Sequence, residues 1–322
     1  MMLLRPFTVL ALGAFAAAAL AVPPATPTPA AAPRTPGEII AAAKPGDWVE
    51  IAPSDLLVMT LAPDAAGSPR RVIIQLMPAP FSQAWIGNIR ALASAHWWDG
   101  TSINRVQDNY VVQWGDPNGD DGAKAKALPA GLAKTSQDDY ATPRASGFGT
   151  WFPFLRDGNY APHVGFKSGW PIGWDGDHAW PVHCYGMVGV GRGLAPDAGT
   201  GAELYVIIGH APRHLDRNIA LVGRVVSGIE QLSSLPRGTG ALGFYEKAEQ
   251  RVPITSIRLA SELPAAERPR FQYLDTASAT FADYATARAN RQDSFFIKPA
   301  GGADVCNVPV PVRAVNGGAQ TK

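Results

Sequence analysis

Two residues of the sequence have the types and the spacing to do chemistry together. Arg105 and Gln113 lie eight residues apart, in the stretches 97–106 and 110–116, which are rich in aromatic and β-branched residues. Such residues favour β-strands, and the polar Gln-Asp-Asn between the stretches favours a turn, so we expect two neighbouring strands. An arginine in apolar surroundings is costly unless it binds an acceptor, often a carbonyl or carboxylate group. Arg105 is therefore a candidate ligand-binding residue, and the alternative is a buried salt bridge to an acidic neighbour.

This stretch resembles the cyclophilin-type peptidyl-prolyl cis-trans isomerases. The family pattern here is roughly aromatic-aromatic-Asp-Gly-x-x-Phe-His-Arg-Val, followed by Phe-hydrophobic-x-Gln-Gly-Gly-Asp. The matching residues of this chain are Asp99, Gly100, Arg105, Val106, Gln113, Gly115 and Asp116, with Tyr110 in place of Phe. The chain differs by Ile103 in place of Phe, Asn104 in place of His and Trp114 in place of the first Gly.

Other stretches extend the resemblance over about residues 55–259, with an interruption after Asp116. Residues 88–92 (Asn-Ile-Arg-Ala-Leu) resemble the Asn-Phe-Arg-Ala-Leu of the helix that plugs one end of the family's barrel. Residues 186–189 (Gly-Met-Val-Gly) resemble Ser-Met-Ala-Asn, with the Met kept.

Two more segments resemble parts of the family's peptide groove. Residues 203–208 resemble Gln-Phe-Phe-Ile, so that Glu203 replaces the Gln and Tyr205 stands where the family has a pocket Phe. The segment that leads into Gly-Arg-Val at 223–225 carries His214 in place of a Trp and Ile219 in place of a His.

The resemblance implies an enzyme that rotates X-Pro peptide bonds. This rotation needs no nucleophile, metal or cofactor; it needs an apolar pocket for the proline ring and a fixed donor that stabilises the twisted amide. The resemblance implies Arg105 as the catalytic residue. The residues implied to bind substrate are Asn104, Tyr110, Val111, Gln113, Val188, Gly189, Glu203, Tyr205, His214, Leu215 and Ile219.

Two alternatives to an efficient isomerase stay open. Four positions in or beside the groove depart from the family: Asn104, Glu203, His214 and Ile219. They favour a catalytically weak or inactive cyclophilin-fold module that binds peptides or acts as a chaperone, whereas Arg105, Gln113 and Tyr110 favour the isomerase. The third hypothesis is a metal or glycan binder built on four tryptophans of the interruption: Trp151, Trp170, Trp174 and Trp180.

Alternating strand patterns and few helices predict a mainly β protein. The resemblance implies its form, a closed eight-stranded antiparallel cyclophilin-like β-barrel with capping helices. Residues 55–61 and 70–76 predict an opening hairpin, and residues 252–259 predict the closing strand. An apolar stripe at helical spacing predicts a helix over residues 78–95.

Two regions of the chain lie outside this barrel pattern. The barrel domain is expected to span residues 51–260, with a long loop insertion at about 117–183 that shows neither strand nor helix periodicity. Residues 261–322 are expected to form a C-terminal extension packed on the barrel, with a helix at about 280–291 and extended chain at 295–297 and 308–312.

The amino-terminal sequence predicts export. Residues 1–21 have one positive charge, an apolar run and a small-x-small site, as secretory signal peptides do. Residues 22–50 begin with a Pro- and Ala-rich stretch and are expected to form a linker. We therefore expect a periplasmic or secreted monomer with no membrane span after cleavage. Its partners are expected to be proline-containing polypeptides, and a formal net charge of +1 argues against nucleic acid.

Cys184 and Cys306 are the only cysteines. The expected compartment permits a disulfide, but the spacing does not decide between a disulfide and two buried thiols. The histidines of the insertion match no metal-site signature, and the Asp-rich stretch from residue 116 departs from a calcium loop at two required positions, so we expect no metal site.

Overall fold

The computed structural model describes residues 33–145, 148–155 and 158–315. The predicted signal peptide at 1–21 and the first part of the predicted linker lie outside the described residues. Within the described ranges, no helix is both long enough and apolar enough to cross a membrane.

The described residues form four α-helices and sixteen β-strands. The helices are α1 (Pro36–Ala41), α2 (Gln83–Ser94), α3 (Glu230–Ser233) and α4 (Ala279–Ala289). The first eight strands are β1 (Trp48–Glu50), β2 (Leu56–Leu61), β3 (Arg70–Leu76), β4 (Ser102–Val106), β5 (Val111–Gly115), β6 (Thr142–Pro143), β7 (Thr150–Trp151) and β8 (His163–Lys167). The other eight are β9 (Trp170–Trp174), β10 (His178–Pro181), β11 (Met187–Val190), β12 (Leu204–Ile207), β13 (Leu221–Ser227), β14 (Val252–Leu259), β15 (Phe271–Leu274) and β16 (Val312–Ala314).

Eight strands close into an antiparallel barrel, as predicted. Their order around the barrel is β11-β12-β5-β4-β14-β2-β3-β13. The predicted opening hairpin is the β2–β3 pair, and the predicted closing strand at 252–259 is β14. Closure leaves no free edge in this sheet, so the backbone groups of every barrel strand have a neighbour on each side.

Helix α2 is the predicted plug helix. It begins at Gln83, five residues after the predicted start, and Pro78 and Pro80 lie outside it. Its apolar stripe, which includes Trp85, Ile89 and Leu92, is fully buried. The helical spacing of these residues predicts one buried helix face, and the structure has it.

The insertion is not the irregular loop expected from the sequence. Its second half forms a five-stranded sheet in the order β6-β10-β9-β8-β7. The strands have two to five residues, and all five residues of β9 are buried. A short strand buried on both faces shows no alternation of apolar and polar residues, which explains why the sequence pattern missed this sheet.

The predicted linker and the C-terminal extension pair with each other. From Pro36 onward the expected linker contains α1 and β1, and β1 pairs with β15 in the three-stranded sheet β1-β15-β16. The predicted helix of the extension is α4, whose Phe281 ring packs 4.9 Å from the Phe166 ring of β8. The expectation that residues 295–297 pack on the barrel is wrong, because Phe295 is 82% exposed and Ile297 is fully exposed.

A disulfide joins Cys184, between the insertion and β11, to Cys306 in the extension. The two residues are 122 positions apart in the chain. The bond therefore connects the C-terminal segment to the residues just before the barrel strand β11. Cross-linking positions so distant restricts the unfolded chain strongly, which stabilises the folded state.

We predict that the variant carrying Cys184→Ser and Cys306→Ser unfolds with a free energy about 2–4 kcal/mol lower than the oxidised protein. Chemical denaturation followed by circular dichroism measures this difference. A reducing agent should lower the denaturation midpoint of the wild-type protein and leave that of the variant unchanged. Equal midpoints for the oxidised protein and the variant would contradict the prediction.

Candidate active site

Four residues form a row across the outer surface of the barrel. Arg105 on β4 pairs with Gln113 on β5, Gln113 pairs with Tyr205 on β12, and Tyr205 pairs with Gly189 on β11. Directly paired residues in neighbouring strands place their side chains on the same face of the sheet. The strand register therefore brings together residues that are up to 100 positions apart in the chain.

The adjacent row faces the barrel interior. Val106, Val112, Val206 and Val188 pair across the same four strands and are all fully buried. This alternation identifies which side chains can meet a ligand. Val188, predicted to bind substrate, belongs to the interior row, so the structure does not bring it into the site.

The guanidinium group of Arg105 is held by three acceptors. Nε donates to the carbonyl oxygen of Leu242 at 2.7 Å, Nη1 donates to Oε1 of Gln113 at 3.0 Å, and Nη2 donates to Oε1 of Gln107. An arginine has five N–H groups, so two remain without an acceptor among the described residues. The group has a fixed orientation and keeps donors for a ligand.

Aromatic rings flank this guanidinium group. Its central carbon lies 5.7 Å from the ring centre of Tyr110 and 5.4 Å from that of Phe244. Partial burial lowers the pKa of Arg105, and Tyr110 and Glu203 oppose this effect. The sequence left open a direct salt bridge from Arg105 to an acidic side chain. Among the described residues, Arg105 instead donates to amide and carbonyl oxygens.

Glu203 orients Gln113. Nε2 of Gln113 donates to Oε1 of Glu203 at 2.8 Å. Because a carboxylate only accepts hydrogen bonds, this contact sets the amide orientation and directs Oε1 of Gln113 towards Arg105. A charged carboxylate at position 203 thus acts on the guanidinium group through one amide.

The surroundings of Glu203 are crowded and mostly dry. A Cβ atom placed on Gly191 would lie 2.8 Å from the side chain of Glu203, and one on Gly115 would lie 3.3 Å from it. Burial raises the pKa of Glu203 above its ordinary value, and the hydrogen bond from Gln113 opposes this rise. Asp120 and Asp116 raise the pKa of Glu203 further, while Arg105 lowers it.

Apolar side chains lie beside the outer row. Val111 and Tyr205 are buried in the main core cluster, and Tyr110 and Ile219 are half-buried against it. Leu215 is half-buried at the end of the turn Arg213–Leu215. Of these five predicted substrate-binding residues, only Tyr110, Leu215 and Ile219 keep part of their side chains accessible to a ligand.

Tyr205 is held by a buried polar network. Its hydroxyl group lies 3.1 Å from Nε2 of His183, and Nδ1 of His183 lies 2.9 Å from Oδ1 of Asp216. Since the carboxylate accepts, Nδ1 carries the proton and Nε2 accepts from the tyrosine hydroxyl. Burial lowers the pKa of His183, and Asp216 opposes this; burial raises the pKa of Tyr205 well above its ordinary value.

Gly189 leaves space for the ring of Tyr205. A Cβ atom at position 189 would lie 2.3 Å from the hydroxyl oxygen of Tyr205. The ring of Tyr205 therefore lies directly over the strand at a place where no side chain fits. The glycine in place of the family's asparagine is explained by this contact.

Two other predicted substrate-binding residues have different positions. The structure does not bring Asn104 into the row: it is buried, its amide donates to the carbonyl of Gly115 at 3.2 Å, and its Oδ1 accepts from Ser102 at 2.6 Å. His214 is exposed, and it lines a cavity together with Tyr110.

Sequence reasoning missed the residues that hold Arg105 from elsewhere in the chain. The carbonyl of Leu242 and the ring of Phe244 come from a loop more than 130 positions away, and no local pattern pointed to them. A backbone carbonyl acceptor is invisible in a sequence, because every residue has one. Gln107 lies two positions after Arg105, so in extended chain its side chain is expected on the same face as that of Arg105. This spacing could have identified Gln107 as a partner of Arg105.

In the described part of the chain, no group of three or more His, Cys, Asp or Glu side chains could hold a metal ion. The chemistry that the site residues themselves can perform is hydrogen-bond donation by Arg105 next to an apolar surface. This chemistry suits a reaction in which no bond is broken.

A solved cyclophilin structure has the same architecture. The chain is similar to the cyclophilin AquaCyp293 from Hirschia baltica, with 20% sequence identity and a TM-score of 0.64, over 83% of this chain and 93% of that one. It also matches a cyclophilin-type peptidyl-prolyl cis-trans isomerase from Cryptosporidium parvum, with 13% identity and a TM-score of 0.37, over 64% of this chain and 96% of that one. The curated proteins searched contain no match to the chain.

The family model described as cyclophilin type peptidyl-prolyl cis-trans isomerase/CLD matches residues 68–259. The match begins just before β3 and ends with β14, so it contains Arg105, Gln113 and the other members of the outer row. It covers more than half of the chain. The chain therefore belongs to the cyclophilin-type peptidyl-prolyl cis-trans isomerase family.

Proposed function

We propose that this protein catalyses cis–trans isomerisation of X-Pro bonds in polypeptides, with Arg105 as the catalytic residue. The observation that carries the proposal is a guanidinium group with a fixed orientation and unused N–H donors beside the rings of Tyr110 and Phe244. Proline-containing polypeptides are the substrates of the family.

The reaction is a rotation about a conjugated bond. Its barrier of about 18–20 kcal/mol reflects the partial double-bond character of the planar amide. In the twisted transition state the nitrogen recovers its lone pair and becomes a hydrogen-bond acceptor, whereas in the planar ground state it is not one. A donor fixed near this nitrogen stabilises only the transition state, which lowers the barrier.

Each residue of the row contributes to this differential stabilisation. Arg105 donates to the substrate, and Gln113 and the carbonyl of Leu242 hold its guanidinium group in place. Tyr205, fixed by His183, supports the apolar surface for the proline ring. Because the donors are oriented before the substrate arrives, little reorganisation is needed during the rotation.

We predict that Arg105→Ala lowers kcat/KM for a short X-Pro peptide by about 100-fold or more, the size of effect seen when one fixed donor to a transition state is removed. NMR exchange spectroscopy measures the rate without a coupled protease. Arg105→Lys should restore only part of the rate, because an ammonium group lacks the planar fork that Gln113 and Leu242 hold.

Arg313→Ala is the matched control for this experiment. Arg313 is an exposed arginine on β16 that bonds to Gln272 and lies over the Trp48 ring, away from the outer row. Its replacement should leave the rate unchanged. An Arg105→Ala variant that keeps its fold by circular dichroism and isomerises as fast as the control would refute the catalytic role.

A second candidate function is a peptide-binding module with little catalysis. The exposed His214 and the half-buried Ile219 favour it, because they replace the Trp and His of the family beside the groove. This function predicts that the wild-type protein binds an X-Pro peptide, measured by calorimetry, without accelerating its isomerisation. A clear wild-type rate would exclude it.

The activity should depend on the ionisation of Glu203. Burial raises the pKa of this group, so it gains a proton at a higher pH than an ordinary glutamate. Protonation turns one carboxyl oxygen of Glu203 into a donor, so the Gln113 amide no longer has to point its N–H groups towards Glu203. Arg105 then loses its hydrogen bond to Oε1 of Gln113, one of the three that orient its guanidinium group. We predict that kcat/KM falls severalfold as the pH is lowered through this pKa, and that Glu203→Gln has a flat profile over the same range.

The control for this pH dependence is the circular dichroism spectrum of both proteins across the range, which should not change. A wild-type profile identical to that of Glu203→Gln would show that another group, or none, titrates in the activity.

We infer that the protein is exported and acts on exported polypeptides. The apolar run of residues 7–20 and the small-x-small site at 19–21 support this, and the disulfide between Cys184 and Cys306 is of the kind that persists in oxidising compartments. Amino-terminal sequencing of the protein recovered from the periplasm or medium should find Val22 first. A full-length cytoplasmic protein with free thiols would contradict export.

A further inference from the structure

A cavity of about 680 Å³ opens beside the proposed proline-binding surface. Its volume lies within the range of about 300–1,000 Å³ that is usual for ligand pockets. The lining residues come from five parts of the chain: Asn109 and Tyr110; Tyr160; Tyr185; Gly209 to His214; and Asp304, Cys306 and Asn307. Barrel loops, the insertion and the C-terminal extension thus all contribute to one concave surface.

Tyr110 connects this cavity to the catalytic row. Its ring centre lies 5.7 Å from the guanidinium carbon of Arg105, and the same residue lines the cavity. A polypeptide extends by about 3.3–3.6 Å per residue. A substrate with its proline beside Arg105 therefore reaches the cavity with a residue one or two positions from the proline.

Aromatic rings are the main ligand surface of the cavity. Tyr160 and Tyr185 are 46% and 52% exposed, so both rings have surface that a ligand can contact, and the guanidinium carbon of Arg213 lies 5.8 Å from the ring centre of Tyr160. Exposed large side chains around a concave site are typical of recognition surfaces. Tyrosine offers a broad apolar face at a low cost in conformational entropy.

The charges in the lining do not favour a charged ligand. Nη1 of Arg213 lies 3.5 Å from Oδ2 of Asp304, and Nε of Arg213 lies 2.6 Å from the buried carboxylate of Asp216. The guanidinium charge is thus balanced within the protein. The groups that can recognise a ligand here are therefore the faces of the tyrosine rings and the polar groups beside them.

The disulfide fixes the wall made by the extension. Cys306 lines the cavity, and its partner Cys184 is adjacent to Tyr185 in the chain. Two of the elements that carry lining residues are therefore covalently joined at the cavity itself. This arrangement restricts the movement of Tyr185 relative to Asp304 and Asn307, as a preformed subsite requires.

We propose that this cavity is a substrate subsite that binds an aromatic or large aliphatic side chain one or two residues from the proline. The proposal rests on the proposed isomerase function and names the substrate class that the site selects. The insertion and the extension supply the subsite, while the barrel supplies the catalytic row.

The test compares two sets of short peptides. In the reference peptide alanine occupies the two positions on each side of the proline, and in the others phenylalanine replaces one alanine at a time. We expect kcat/KM of the wild-type protein to be about tenfold higher for at least one phenylalanine position, the discrimination that a good apolar pocket gives. In the variant carrying Tyr160→Ala and Tyr185→Ala, this ratio should fall to about one.

Trp151→Ala is the matched control. Trp151 is an aromatic residue of the insertion with 51% exposure, and it does not line the cavity. The control should keep the ratio of the wild-type protein, and circular dichroism should show that all variants keep the fold. A ratio unchanged by the two tyrosine replacements would overturn the subsite.

The experiment separates failure of the subsite from failure of the proposed function. Isomerisation of the reference peptide with no phenylalanine preference would overturn the subsite and leave the isomerase function intact. If no peptide is isomerised, the isomerase function fails, and calorimetric binding of the same peptides tests the subsite. Affinity about tenfold higher for a phenylalanine peptide, lost in the tyrosine variant, would support the subsite, and equal affinities would overturn it.

Discussion

The arrangement of the site depends on one buried carboxylate. Asp216 accepts hydrogen bonds from the backbone N–H and Nδ1 of His183 and from Nε of Arg213. A carboxylate out of water is costly unless it is paired and fully hydrogen-bonded, and loss of one partner from such a buried pair costs about 3–5 kcal/mol. These three donors therefore hold the end of the insertion against the turn before β13. Through His183 they also fix the hydroxyl of Tyr205.

Around this anchor, the barrel and the added segments have separate tasks. The outer row is placed by strand pairing alone, and a register slip of one residue would exchange Arg105 and Gln113 for residues of the interior valine row. The insertion and the extension, joined by the disulfide, instead form the walls of the neighbouring cavity. Selection of substrates can thus vary in the added segments without disturbing the residues that orient the guanidinium group.

The departures from the family pattern have local physical reasons. Gly189 stands where a side chain would collide with Tyr205, and the tyrosine hydroxyl finds its partner in His183. Glu203 stands where the family has a glutamine, and its carboxylate only accepts hydrogen bonds. It therefore fixes the orientation of the Gln113 amide. Asn104 serves the barrel rather than a ligand, since both ends of its amide bond within β4 and β5.

Much of the barrel could be predicted from the sequence. The strands β2, β3 and β14 were predicted from their patterns, and the family resemblance selected Arg105 and Gln113, which the structure pairs across β4 and β5. The five-stranded sheet of the insertion could not be predicted, because its strands have only two to five residues, and β9, which is buried on both faces, shows no period. The acceptor of Nε of Arg105 could not be predicted either, since it is the backbone carbonyl of Leu242.

The sequence by itself indicated the barrel strands, because strand periodicity depends on neighbouring residues within short stretches, and its resemblance to a family implied the closed barrel. It also supplied the two cysteines without deciding their state. Only the tertiary structure decided that Cys184 meets Cys306, that His183 lies between Tyr205 and Asp216, and that Tyr160 and Tyr185 face one cavity. Those contacts join residues from distant parts of the chain, and their formation depends on how the insertion and the extension pack, which no local pattern encodes.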